Sequence, residues 1–156
     1  MLRSEPNPVT KVITSKRLLI LSCSARKLNL RREPAIDVYD GPSYRILRKY
    51  HRLGLDILIL SAKYGLISGN ERISSYDRRM TKEIAAALRS ENTKRLEEIL
   101  SANRYSEIFV DLGKIYKEAI EFGSVCSENT ELIFNQGTIG VRLHNLKEWL
   151  SECQYE

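Results

Sequence analysis

The chain has 156 residues, of which 42% are hydrophobic and 29% are charged, with a formal net charge of +5 and an isoelectric point near 9.2. This length suits one domain with its own core, and no apolar stretch approaches the roughly 18 to 20 residues of a membrane helix. The three cysteines and two histidines are scattered, which argues against a disulfide framework and a metal site. We therefore expect a cytoplasmic protein with a flexible arm at residues 1–15, a single domain at 16–156, and no metal or cofactor.

Four short apolar runs predict buried strands. They are rich in Ile, Leu, Val or Phe without polar alternation, which is typical of strands covered on both faces in a parallel sheet. The predicted strands are residues 17–23, 55–62, 106–113 and 130–137.

Helical patterns lie between these runs. The first begins at Pro42 and stops before Gly54, and the third runs up to Gly123. The alternation of strands and helices predicts an α/β fold, a three-layer sandwich with a mostly parallel, Rossmann-like sheet of about four strands. The predicted helices are residues 42–53, 80–101, 114–122 and 140–152.

The basic charge favours acidic partners, above all nucleic acid. Much of the excess lies in the pairs Lys16–Arg17, Arg26–Lys27 and Arg31–Arg32. These cations either contact phosphate or form a solvated face, and the sequence leaves both interpretations open.

Every predicted strand ends in small and polar residues, and ligands of open α/β sheets bind outside the carboxyl ends of the strands. The first strand end carries Ser22, Cys23, Ser24 and Lys27. Two hydroxyls, a thiol and a cation can bind an anion or a polar base, and the neighbouring cations favour a nucleophilic thiolate. Cys23 is alternatively a small buried filler, whereas Lys27 is expected to contact a ligand.

The second strand end carries Ser61, Lys63, Tyr64 and Gly65. Gly65 suits a backbone turn with positive φ or the close approach of a ligand. The alternative is an ordinary turn in which Tyr64 packs on the core.

Two connecting segments add polar and aromatic residues. Tyr39 and Gly41 flank Asp40 in a turn just before the predicted helix that begins at Pro42. Capping of that helix is sufficient to explain these residues. Tyr76 and Asp77 lie in a long connection of the kind that often covers a site. Asp77 is either a general acid or base, or the N-cap of the following helix.

The third strand end carries Asp111, and the fourth carries Asn135, Gly137 and Arg142. Gly137 and Gly140 form a Gly-x-x-Gly turn before a helix, where free N–H groups and the helix dipole attract phosphate. No Gly-Lys-Ser/Thr sequence follows, so this is not a P-loop, and a Gly-x-x-Gly turn alone is weak evidence for phosphate binding. Arg142 opposes the dipole, and a bound anion beside it would relieve that repulsion.

The succession of SCSARK, VYDGP, ILSAKYGLI and ISSYDRRM resembles the peroxide-stress YaaA-type family and its shorter relatives of unassigned function. The resemblance covers residues 18 to 80 and implies a stress response linked to nucleic acid. This chain is much shorter than the stress proteins, so their extra helical DNA-binding portion is expected to be missing. The matching residues are Lys27, Tyr39, Gly41, Ser61, Tyr64, Gly65, Leu66, Tyr76 and Met80.

A second resemblance starts at Cys23, where the YaaA-type family has a small residue or proline. The run from Cys23 to Lys27 is similar to the Cys-Ser-x-x-Lys element of archaeosine synthases and of enzymes that modify 7-deazaguanine bases. Those relatives act on a nitrile-bearing base in tRNA or DNA. The resemblance therefore implies that Cys23 or Lys27 attacks or polarises the nitrile carbon.

Two main hypotheses follow. The first is a transferase or hydrolase that modifies a nucleobase, with Cys23, Lys27 and Asp77 as catalytic residues. The second is a non-enzymatic nucleic-acid-binding stress protein, and an interaction module with a vestigial pocket is a third possibility. Expected partners are a nucleobase, nucleoside or nucleotide, with DNA or tRNA but no membrane, and the oligomeric state stays open. The expected substrate-binding residues are Ser22, Ser24, Tyr39, Gly41, Ser61, Lys63, Tyr64, Gly65, Tyr76, Asp111, Asn135, Gly137 and Arg142.

Overall fold

The computed structural model describes residues 16–50, 53–124 and 128–153. The predicted N-terminal arm at residues 1–15 lies outside the described residues. A five-stranded sheet and a small two-stranded one make up the strand content of the described chain. The strands are β1 (Lys16–Ser22), β2 (Glu33–Pro34), β3 (Leu55–Ser61), β4 (Gly65–Ser68), β5 (Arg72–Ile73), β6 (Tyr105–Asp111) and β7 (Glu131–Phe134).

The main sheet has the strand order β4-β3-β1-β6-β7. β1 pairs in parallel with both β3 and β6, and β6 pairs in parallel with β7. The α/β class, the mostly parallel sheet and the four predicted strands are thereby confirmed, with ends that differ by a few residues. The remaining strands β2 and β5 form a short antiparallel pair.

The sequence interpretation missed β4, which adds an antiparallel edge to β3. The turn between them is only three residues long, so the apolar residues of β4 follow β3 almost at once. Gly65 begins β4 with a φ of +75°, which glycine adopts without steric cost. The positive φ expected at Gly65 is therefore confirmed, at the residue where the three-residue turn ends and β4 begins.

The described helices flank the sheet or connect its strands. Two of the predicted ones are shorter than expected, because the chain continues in turns after Leu47 and after Lys117. Nothing in the described helices is long and apolar enough to cross a membrane. The helices are α1 (Ala35–Val38), α2 (Pro42–Leu47), α3 (Lys82–Ala102), α4 (Lys114–Lys117) and α5 (Ile139–Cys153), with a 3₁₀ turn at Phe122–Ser124.

Thr81 caps the long helix α3. Its hydroxyl accepts a hydrogen bond from the backbone N–H of Ile84 at 3.1 Å, which satisfies one of the free donors of the first turn. The N-cap interpretation of Asp77 is therefore wrong, because the helix begins four residues further along than that role requires.

The core lies on both faces of the central strand. Leu18, Leu19, Ile20 and Leu21 are each at most 1% exposed, and successive strand residues point to opposite faces. Both faces of β1 are therefore covered. Between α5 and the sheet, the Trp149 ring stacks on Phe109 of β6, with the ring centroids 4.8 Å apart.

The strand order positions the edge of the sheet at which we place the candidate site. Because β1, β3, β6 and β7 are parallel, their carboxyl ends lie along one edge of the sheet. The chain leaves β1 toward β3 on one side and later reaches β6 on the other side. The ends of β1 and β6 thus flank a reversal of strand order, which is where open α/β sheets bind ligands.

Candidate functional site at the carboxyl ends of the strands

Cys23 lies directly after β1 and is the free thiol at the centre of this edge. It is 7% exposed, and its backbone N–H continues the pairing with β3 by donating to the Leu60 carbonyl at 2.9 Å. Its Sγ atom lies 3.2 Å from the hydroxyl oxygen of Tyr116, and either group can donate. A thiol that only fills space needs no polar partner, so this contact favours the functional interpretation.

A pocket of about 180 Å³ opens beside Cys23. It lies between the end of β1, the first turn of α2 and the start of α5. The polar residues that line it include Ser22, Cys23, Ser24, Ser43, Asp111 and Arg142. The pocket therefore occupies the reversal of strand order between β1 and β6.

Three side chains on the β3 side form a hydrogen-bonded chain. The hydroxyls of Tyr39 and Tyr76 lie 2.7 Å apart, and Tyr76 lies 2.8 Å from the Ser61 Oγ atom. Ser61 also accepts hydrogen bonds from the backbone N–H groups of Lys63 at 3.0 Å and Tyr64 at 2.9 Å. Tyr76 thus fastens the loop before α3 to the end of β3.

Burial keeps the tyrosines of this edge protonated. It raises the pKa of Tyr39 to about 12, although hydrogen bonds from Ser61 and Tyr76 act in the opposite direction. Burial also raises the pKa of Tyr76 and of Tyr116, and the nearby Cys23 adds to both shifts. At neutral pH these hydroxyls are hydrogen-bond donors and acceptors, so none of them is the general base.

Lys27 and Lys63 place two ammonium groups on the same aromatic ring. The Nζ atom of Lys27 lies 4.4 Å from the centroid of Tyr76, and that of Lys63 lies 5.7 Å from it. Lys63 also lies 5.1 Å from the ring of Tyr64. Within the described chain, no carboxylate forms an ion pair with either ammonium group. Both charges are therefore open to an anionic or electron-rich ligand.

Asp111 and Arg142 form an internal ion pair on the β6 side. The guanidinium of Arg142 donates to the Asp111 Oδ1 atom at 2.8 and 3.1 Å, and Asn135 donates to the same oxygen at 3.1 Å. Burial raises the pKa of Asp111, and the Arg142 contact holds that rise back. The anion expected beside Arg142 is therefore this carboxylate, so the arginine does not require an external phosphate.

The residues around Gly137 have partners within the protein. Gly137 has a φ of +118°, which explains the glycine before α5. Asn135 donates to the Arg142 carbonyl at 2.9 Å and accepts from Asn145 at 3.0 Å. Asn135 therefore ties the end of β7 to α5, and its amide is already occupied.

Asp77 is the predicted catalytic residue that the structure does not bring into contact with the others. Its side chain is exposed in the loop between β5 and α3. It makes no hydrogen bond or ion pair with any residue in the described ranges. Cys23 and Lys27, by contrast, both lie against the tyrosines of the strand edge.

Ser24 and Gly41 are packed against each other at the mouth of the pocket. A Cβ atom on Gly41 would lie 2.9 Å from the Cβ of Ser24, which is closer than such atoms approach. Ser24 Oγ also donates to the Arg26 carbonyl at 2.6 Å. Both residues therefore shape the pocket, and their role in substrate binding stays a prediction.

The sequence interpretation overlooked Tyr116, Tyr44 and Asp40. Tyr44 donates to the Ser22 carbonyl at 2.7 Å, and Tyr116 meets Cys23. Each tyrosine lies in the first turn of a helix that follows a predicted polar loop. This position was the sequence signal that could have indicated that they lie near the site. Asp40 was ascribed to helix capping, but Gly41 is the N-cap of α2 and no side chain caps it.

Asp40 is instead surrounded by arginines. Arg48 pairs with its Oδ1 atom, and Arg26 and Arg45 pair with its Oδ2 atom at 3.2 and 3.3 Å. Hydrogen bonds from Arg45 and Arg26 lower the pKa of Asp40. One carboxylate thus faces three cations beside the pocket.

Among the described residues, no three His, Cys, Asp or Glu side chains are grouped as metal ligands would be. Cys126 and His51, two of the scattered cysteines and histidines, lie outside the described residues.

Comparison with known proteins gives a fold and a family. A solved structure titled "Crystal structure of AF0587, a protein of unknown function" is similar, with a TM-score of 0.51 and 14% sequence identity. The alignment covers 87% of this chain and 44% of that one, so this chain spans less than half of the length of its structural relative. No curated protein matches the sequence. Residues 18–148 match DUF6884, described as a family of unknown function, and the chain therefore belongs to that family.

Proposed function

We propose that this protein is an enzyme that modifies a nucleobase, either free or within a nucleoside or nucleic acid. The observation that carries the proposal is the placement of one free thiol, two ammonium groups without carboxylate partners and several protonated tyrosines at one strand edge. A thiol supplies a nucleophile, the cations attract an electron-rich ligand, and the tyrosine rings offer faces for a planar base.

The proposed chemistry begins at Cys23. The sulfur attacks the carbon of a nitrile or a comparable electrophilic carbon on the base. A C–S bond forms, one π bond of the nitrile breaks, and the thiol proton passes to the nitrile nitrogen, which gives a thioimidate. Tyr116 lies 3.2 Å from the sulfur and is placed to transfer that proton, because its hydroxyl both donates and accepts.

Lys27 and Tyr76 are proposed to position the base. The Lys27 ammonium lies over the ring of Tyr76, whose hydroxyl contacts Tyr39 and Ser61. Charge that develops on the base would therefore meet a cation at the strand edge that carries the nucleophile. The role of Asp77 as a general acid or base stays a prediction. Asp77 is exposed, and no contact with another site residue in the described chain supports that role.

The alternative is a nucleic-acid-binding protein without catalysis. The net charge of +5 and the arginines around Asp40 favour it. It requires binding that weakens steeply with salt and does not depend on Cys23. The thiol and its hydroxyl partner are the features that this alternative leaves without a role.

A thermal-shift screen separates the two proposals. Wild type, Cys23→Ser, Lys27→Ala and the exposed control Lys147→Ala are heated with nucleobases, nucleosides, nucleotides, 7-deazaguanine nitrile and short DNA and RNA. A small molecule that binds the native state raises Tm. We expect such a shift in wild type and Lys147→Ala, and its loss in Lys27→Ala. A shift with nucleic acid alone, equal in all four proteins and removed by salt, would support the non-enzymatic alternative.

We also propose the finer description of the fold as a three-layer, Rossmann-like sandwich, and a cytoplasmic location. The buried residues on both faces of β1 support the layered arrangement.

A further inference from the structure

Three arginines pair with the single carboxylate of Asp40, so this cluster has an excess of positive charge. Arg48 is fixed by the backbone, because its Nη1 atom donates to the carbonyls of Ile36 at 2.9 Å and Tyr39 at 3.0 Å. Arg48 also pairs with Asp40 and neutralises it. Arg26 and Arg45 therefore remain as two further positive charges beside one carboxylate whose charge is already matched.

Arg26 and Arg45 converge on a single atom. The Nε of Arg26 and an Nη of Arg45 lie 3.2 and 3.3 Å from the same Asp40 oxygen. The two guanidinium groups consequently lie a few ångströms apart and repel each other. Their side chains are 68% and 53% exposed, and their other N–H groups make no hydrogen bonds within the described ranges. A second anion at this point would relieve the repulsion.

These arginines are held at the rim of the pocket by the backbone. The Asp40 N–H donates to the Arg26 carbonyl at 3.0 Å, and the Ser24 hydroxyl donates to the same carbonyl. Ser24 and Gly41 both line the pocket beside Cys23. The backbone of Arg26 is therefore held beside the pocket, and Arg45 directly follows the pocket-lining residue Tyr44 in α2.

We propose that Arg26 and Arg45 bind a phosphate group of the substrate, so that the enzyme binds a nucleotide or a nucleic-acid residue more tightly than the corresponding free base. Guanidinium groups bind phosphate through paired N–H donors. Arg26 and Arg45 each donate one N–H group to Asp40, and their remaining N–H groups suit a single phosphate between them. This inference rests on the proposed function for the position of the base. The phosphate contact itself depends only on the two arginines.

The test uses the full chain and three double variants. Arg26→Ala/Arg45→Ala removes the proposed phosphate site. Arg95→Ala/Arg104→Ala removes the same charge from exposed positions on α3 and before β6. The probes are nucleosides, their 5′-monophosphates, and fluorescein-labelled single-stranded DNA and RNA of eight nucleotides. Arg26→Lys/Arg45→Lys keeps the charge and removes the paired donors.

We expect the Arg26/Arg45 alanine variant to bind monophosphates or oligonucleotides at least tenfold more weakly than the Arg95/Arg104 variant. Nucleoside binding should be equal in both. The slope of log affinity against log salt concentration for an oligonucleotide should fall by about 1 to 2. The lysine variant should recover only part of the affinity. Monophosphates and oligonucleotides identify which source of phosphate the site prefers.

Equal losses in the two alanine variants would overturn the inference, as would the absence of binding to every phosphate-bearing probe. The outcomes for the proposed function are separate. If nucleosides bind through Cys23 and Lys27 but the arginine variants do not differ, the phosphate site is wrong and the enzyme proposal stands. If the arginine pair binds oligonucleotides and Cys23 has no effect, the phosphate site stands and the enzyme proposal fails.

Discussion

The guanidinium of Arg142, at the start of α5, donates two hydrogen bonds to one oxygen of Asp111, at the end of β6. Asp111 is 3% exposed and Arg142 26% exposed, so the pair joins a buried carboxylate to a partly exposed cation. It fixes the start of α5 against the pocket floor. The contact is therefore part of the architecture of the site and gives a prediction that depends on pH.

Arg142→Ala should destabilise the protein by about 2 kcal/mol at pH 7, less than the roughly 3 to 5 kcal/mol of a fully buried pair, because Arg142 is partly exposed. Without Arg142, only the hydrogen bond from Asn135 opposes the effect of burial on Asp111, and its pKa rises further above the unfolded value of about 4. A raised folded pKa means that stability is lost as pH rises through it. The deficit measured by urea unfolding should therefore shrink between pH 7 and pH 4.5. A deficit that persists unchanged across this range would contradict the account, and adding Asp111→Asn should remove the pH dependence.

Gly41→Ala should destabilise the fold by about 1 to 3 kcal/mol, the usual cost of forcing extra atoms into a packed site. The new Cβ would lie 2.9 Å from the Cβ of Ser24, so the two turns at the pocket mouth must separate. Gly113→Ala is the matched control. Gly113 is also a helix N-cap with an ordinary negative φ, and a Cβ there meets nothing within 4 Å. Urea unfolding of both variants measures the difference, and equal losses would show that Ser24 does not constrain Gly41.

Tyr76→Phe should cost about 1 to 2 kcal/mol, because it removes the link between Tyr39 and Ser61 and leaves part-buried hydroxyls with fewer partners. Tyr64→Phe is the control in the same ring cluster. Its hydroxyl makes no hydrogen bond within the described ranges, so its loss should be close to zero. Hydrogen exchange of the backbone N–H groups of Lys63 and Tyr64 should also accelerate in Tyr76→Phe alone. Identical stability of the two variants would argue against the hydrogen-bonded chain.

Asp40→Asn should be less stable than wild type at neutral pH and equal to it in strong acid. Hydrogen bonds from Arg45 and Arg26 lower the folded pKa of Asp40. A lowered pKa contributes stability above the unfolded value of about 4, and this stability is lost as pH falls through the folded pKa. The difference in Tm should therefore persist down to about pH 4 and close below it. A difference that closes between pH 7 and pH 5 would point to another group.

Sequence reasoning located the parallel strands because each is a continuous apolar run. It proposed the carboxyl edge of the sheet as the site because all four strands end in polar residues. It missed β4 because a three-residue turn hides the boundary between two apolar segments. Arg142 was interpreted as a cation without a partner, since Asp111 is 31 residues away in sequence. Tyr116, 93 residues from Cys23, was missed for the same reason. Long-range partners depend on strand order, which local patterns do not reveal.

The most direct test of the central claim is mass spectrometry of the protein after incubation with 7-deazaguanine nitrile. Addition of the thiol across the nitrile releases no leaving group, so wild type should gain the full mass of the nitrile on the peptide that contains Cys23. Cys23→Ser should gain none, and Tyr116→Phe should gain it more slowly. The absence of an adduct on Cys23, or an equal adduct in Cys23→Ser, would contradict the assignment of Cys23 as the nucleophile.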